Sequence, residues 1–156
     1  MRRLSAVAVA LIAAALGAST PGEGQTPRIP SVETLSPDEI AARYSAQYQK
    51  CMSQGGAEDG VTSSILDCKQ DELARQDQAL NQIYKRVSDG ATDAASRTRL
   101  VQIERGWLKA KAAMCSSEMA DAGEGTASTI GQLDCELRLT ARRRAYLERM
   151  KEAGEF

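Results

Sequence analysis

Three long stretches of this chain repeat apolar residues every three or four positions, and no stretch alternates them every two. Only helices use the first spacing to cover one face, so the chain reads as all-α. One stretch, about Thr62 to Ser88, carries Leu66, Leu73, Leu80, Tyr84 and Val87. The next, about Asp93 to Met114, sets Leu100, Ile103, Trp107, Ala110 and Met114 in a seam suited to packing on another helix. The last, about Gln132 to Lys151, presents Leu133, Leu137, Leu139, Leu147 and Met150.

End signals support these limits. The segment Ser36-Pro37-Asp38-Glu39 combines an N-cap serine, a proline at the first helical position and a glutamate three residues on. A short first helix therefore starts there, carries Ile40, Tyr44 and Tyr48, and ends near Met52. SQGGAEDG, from Ser53 to Gly60, and SSEMADAGEGTASTIG, from Ser116 to Gly131, read as loops by composition. The expected fold is a small up-down bundle of three longer helices plus one short one, spanning 36–152.

Ahead of it, MRRLSAVAVALIAAALGAST has two arginines, an apolar run and small residues, the pattern of a secretory signal peptide over 1–19. Residues 20–35, rich in Pro, Gly and Thr, form a flexible leader. The cleavage zone offers no cysteine for a lipid anchor, so the expectation is a soluble periplasmic or secreted protein without a membrane anchor. Cys51, Cys68, Cys115 and Cys135 all fall in the exported part, and an even count in a small exported domain implies two disulfides. Pairing Cys51 with Cys68 and Cys115 with Cys135 closes the two interhelical loops without distorting a helix.

Several chemistries are excluded at once. The chain has no histidine, which removes the Ser-His-Asp and Cys-His arrangements and His-ligated zinc. The cysteines lack the C-x-x-C spacing of zinc and redox sites. No catalytic residue, metal or cofactor is expected, and the chain is read as a non-enzyme. Loss of Arg2 and Arg3 with the signal leaves 18 of the 20 basic residues against 21 acidic ones, a net charge of −3. Nucleic acid is then not an expected partner; a basic protein is a more natural one.

One residue interrupts the pattern. At about 100° per residue, Asp77 falls on the same meridian as Leu73, Leu80, Tyr84 and Val87. An inward carboxylate needs a partner, and Arg143, beside Thr140, breaks the apolar arc of the last helix. If the second and fourth helices run parallel with the third antiparallel between them, Arg143 sits at nearly the height of Asp77. The expectation is a structural, partly buried ion pair, with Thr140 and Asn81 or Tyr84 filling the remaining hydrogen bonds, so that Asp77→Ala destabilises the fold. Lys111 is the second candidate partner, about two turns away. Trp107 and Tyr84 are read as core.

The pattern Cys68, Leu73, Asp77, Leu80-Asn81, Tyr84, then Trp107 before Cys115, then Cys135, Thr140, Arg143 and Leu147 resembles the LprI family, whose namesake inhibits lysozyme. The resemblance covers about Cys51 to Met150 and implies an exported, mostly helical, cysteine-bridged bacterial protein. Glu104 and Lys111 depart from the family's usual Gln and Arg. It implies an exported protein-binding domain that inhibits a c-type lysozyme by occluding its cleft; the alternative is an envelope interaction or stress protein without that activity. Such lysozymes are cationic, so acidic rim groups are the candidate contacts: Glu58 and Asp59 in the first loop, and Glu118, Asp121, Glu124 and Ser128 in the second.

Overall fold

The structure, a computed structural model, describes residues 35–121 and 125–154, with Asp121 described for its backbone alone. The expected signal segment, nearly all of the expected leader and Glu124 lie outside those residues. Six helices and no strand make up the described chain: α1 Pro37–Ala41, α2 Ala46–Met52, α3 Gly55–Glu58, α4 Thr62–Gly90, α5 Ala94–Asp121 and α6 Thr126–Ala153. The all-α expectation holds, with three long helices and three short ones in place of one.

The expected first helix is broken in two. The capping box at Ser36 and Glu39 forms as read, with both reciprocal bonds made. The break comes at Ser45, whose hydroxyl caps α2 by accepting from the Tyr48 amide at 3.1 Å. Its own amide and hydroxyl donate to the Glu72 carboxylate at 2.9 Å and 2.5 Å. Glu72 is fully buried on α4, and a buried carboxylate must be satisfied. It takes the donors of a fresh helix start, and the chain interrupts its helix to supply them. Gln76 Nε2 and Arg75 Nε complete the shell at 2.6 Å and 2.9 Å. Gln76 also donates to the Arg43 carbonyl, and Arg144 on α6 donates to the Gln76 side-chain oxygen at 2.8 Å. Burial pushes the Glu72 carboxyl up, but the bonds from Gln76, Ser45 and Arg75 outweigh it and hold it below the ordinary range.

The segment read as a second loop is largely helix. α5 runs on to Asp121 and α6 begins at Thr126. Small and polar residues tolerate a helix when tertiary contacts hold it. Here the Cys115–Cys135 disulfide ties α5 to α6, and Arg138 pairs with Glu118 at 2.6 Å beyond it. The other expected disulfide, Cys51–Cys68, ties α2 to α4.

α6 is the central element, packed along α4 on one side and α5 on the other, with α1 also resting on it. Cross-links fix the directions. Lys69 pairs with Asp134 and Arg144 reaches Gln76, so α4 and α6 run parallel. Glu104 pairs with Arg143 while Glu118 pairs with Arg138, so α5 is antiparallel to α6. The expected directions are correct, but α6 takes the middle place that had been given to the third helix. Ala141 and Ala145, both fully buried, keep its flank thin enough for Leu35 and Ile40 to seat against it. The main core gathers Leu80, Ile83, Val87, Leu100 and Leu147 where α4 and α5 join.

Candidate binding cleft

α4 and α5 meet through Leu100 near their joining turn, then both lean on α6 rather than on each other. The gap is an open cleft of about 450 Å³. Its α4 wall is Asp77, Leu80, Asn81 and Tyr84, and its α5 wall is Val101, Glu104, Arg105, Trp107, Leu108 and Lys111. These α4 residues recur at three- and four-residue steps because one helix face turns toward the gap.

Asp77 and Arg143 do not pair. Arg143 donates from Nε and Nη2 to Glu104 Oε2 at 2.8 Å and 2.6 Å, a contact with both side chains largely buried. Asp77 instead lies 4.0 Å from Lys111 Nζ and keeps 46% of its side chain exposed. The expected height was right, since Gln76 meets Arg144 at that level. The azimuth was not: a step of one residue turns a side chain by about 100°, so Arg144 faces α4 and Arg143 faces α5. With Asp77 half exposed, the expected destabilisation by Asp77→Ala loses its basis.

Thr140 is fully buried and serves Lys111, accepting from Nζ at 3.3 Å. Lys111 Nζ stands 5.3 Å from the Trp107 ring centre, and the Arg143 guanidinium 5.7 Å from it. Arg143 also lies 4.8 Å from the Tyr146 ring. Trp107 and Tyr84 pack against the core from partly buried positions, so each is both core and cleft wall. Glu104 and Lys111, the positions that depart from the resembled pattern, are thus both wall residues whose partners lie on another helix.

The family model described as Lysozyme inhibitor LprI matches residues 51–147. The chain belongs to that family. No curated protein and no solved structure matches it. The LprI match spans every residue of the cleft and both disulfides. Of the positions that carried the resemblance, Asp77, Leu80, Asn81, Tyr84 and Trp107 line the cleft, while Cys115, Cys135, Thr140, Arg143 and Leu147 belong to the disulfide, the core and the contacts behind its walls.

The acidic rim positions fare unevenly. Glu58 and Asp59 are exposed at the end of α3. Glu118 is helical and neutralised by Arg138. Ser128 is a correction, since it is buried in the first turn of α6 and donates to the Gly125 carbonyl at 2.7 Å. The Asp121 side chain and Glu124 fall outside the described residues. Sequence reading missed Asp67 and Asp71, which are exposed on α4; their i, i+4 spacing was the available signal. It also missed Glu72, whose burial nothing local in the sequence announces. No helix among the described residues is long and apolar enough to cross a membrane.

Proposed function

We propose that this chain is an exported protein-binding domain that inhibits a cationic, c-type lysozyme by occluding its cleft. The observation that carries the reading is the match to the lysozyme inhibitor LprI family over residues 51–147. Charge supports it. Glu58 and Asp59 at the end of α3, with Asp67 and Asp71 on α4, are exposed acids that enter none of the described ion pairs. Such an edge steers a basic partner and raises the association rate more than the final affinity. The rigid bundle behind it, tied by two disulfides, keeps the ordering cost of binding small.

The test is residual activity of a c-type lysozyme titrated with the oxidised mature domain at low and at moderate salt, with the reduced domain as control. Inhibition is expected, and it weakens as salt screens the edge. Changing Glu58, Asp59, Asp67 and Asp71 together to their amides is expected to weaken inhibition about tenfold. A domain that leaves lysozyme fully active at both salt concentrations overturns the reading and favours another envelope partner.

A further inference from the structure

The acidic edge makes no use of the cleft between α4 and α5, and the cleft has the chemistry of a ligand site in its own right. We infer that it binds a neutral, N-acetylated amino-sugar oligosaccharide, the kind of glycan that lysozymes cut. The choice of glycan rests on the family reading above; the site rests on the geometry.

Size comes first. About 450 Å³ is within the range of small-ligand pockets, about 300–1,000 Å³. The lining is mixed in the way a sugar requires. Tyr84, Trp107 and Leu108 offer ring and aliphatic surface to the apolar C–H faces of pyranose rings, and Leu108 is 49% exposed at the edge. Between them stand polar groups that the fold does not use. The Asn81 amide and the Tyr84 hydroxyl enter no hydrogen bond among the described residues. Asn81 supplies both a donor and an acceptor, the pair that an acetamido group or a sugar hydroxyl needs.

Charge narrows the class. Asp77 and Lys111 answer each other and Glu104 is answered by Arg143 behind the wall, which leaves Arg105 as the one lining charge outside the described ion pairs, too little to draw a polyanion or a polycation. Phosphorylated ligands and basic peptides are disfavoured, and a neutral ligand rich in donors and acceptors suits a balanced site. The walls are also set before binding. Arg143 and Lys111 hold Trp107 from one side chain each, and Glu104 and Thr140 hold those two cations in turn. Little ordering cost remains for a ligand to meet.

Trp107 is the chain's single tryptophan, so its fluorescence reports on this cleft alone. The experiment titrates the oxidised mature domain with tri-N-acetylchitotriose, without lysozyme, and with cellotriose as the unacetylated control. The expected result is a saturable change with the acetylated trisaccharide and a much weaker one with cellotriose. Asn81→Ala and Tyr84→Phe each weaken it about threefold to tenfold, with helix content checked by circular dichroism. Three results overturn the inference: no saturable change, an equal response to cellotriose, or undiminished affinity in both variants. Lysozyme perturbing Trp107 while the saccharide does not would assign the cleft to protein contact, overturning the glycan site and leaving the inhibitor reading intact. Saccharide binding by a domain that fails to inhibit lysozyme would do the reverse.

Discussion

Glu72 shows how one side chain can shape a neighbouring segment. Its carboxylate accepts from Ser45, Gln76 and Arg75, and removing it strands the buried Gln76 amide in particular. Glu72→Ala should cost about 2–4 kcal/mol, measured by denaturant unfolding, and amide exchange should quicken first in α2. The same group sets the acid limit. Its folded carboxyl titrates below the ordinary 4.5, so the unfolded chain binds more protons in that range. Its contribution is present above the unfolded value and is lost as pH falls through the folded one. Glu39 and Asp93, lowered by capping bonds from Ser36 and Ser96, act in the same direction. Unfolding free energy should therefore be level near neutral pH and fall below about pH 4.5; a flat profile to pH 2 would count against this account. Arg143 and Asp77 make the opposite pair of cases. Arg143→Ala leaves Glu104 nearly buried without its cation and should cost about 3 kcal/mol, whereas Asp77→Asn should cost under about 1 kcal/mol.

α5 is the helix whose sequence and packing disagree most. Its apolar seam, Leu100, Ile103, Trp107, Ala110 and Met114, puts only Leu100 and Trp107 against the core. Ile103 and Met114 stay 48% and 52% exposed. The inward face is instead Leu100, Glu104, Trp107, Lys111 and Cys115, a set rotated by about half a residue step. The Cys115–Cys135 bond and the Glu104–Arg143 pair both lie on that face and fix the rotation. Met114→Gln should then change stability by no more than about 0.5 kcal/mol, while Leu147→Ala, fully buried, should cost about 2–5 kcal/mol. Because α5 packs mainly on α6, replacing Cys115 and Cys135 by alanine should cost about 3 kcal/mol by the chain-entropy model. Hydrogen exchange should show the loss in the last turns of α5.

Across the molecule, α4 and α5 both rest on α6, and that arrangement turns a three-helix bundle into a cleft with two walls. Residues that are distant in sequence, such as Asn81 and Leu108, share a surface only because α6 carries both helices. On the proposed reading, the salt dependence belongs to the acids of α3 and α4, and the tryptophan signal to the cleft. Variants of Glu58, Asp59, Asp67 and Asp71 should therefore alter inhibition without moving the Trp107 emission maximum of the free domain.

What could be read from residue order was whatever local physics decides. The 3.6-residue period named the three long helices, Ser36 and Glu39 named a helix start, and an even cysteine count with short separations named both disulfides. The parallel and antiparallel directions followed from the up-down arrangement expected of three long helices in one small bundle. Azimuth did not follow, because a turn of about 100° per residue moves a side chain from one neighbour to another at negligible local cost. That is why Arg143 found Glu104 instead of Asp77. Lys111, expected about two turns from Asp77, lies 4.0 Å from it instead, a difference along the axis that comes of counting residues 116–131 as a loop where α5 and α6 continue as helix. The burial of Glu72 and the break at Ser45 are a joint solution between two helices, and neither sequence segment contains it. The cleft arises in the same way: each helix supplies a face, and only the packing of both on α6 leaves the space between them.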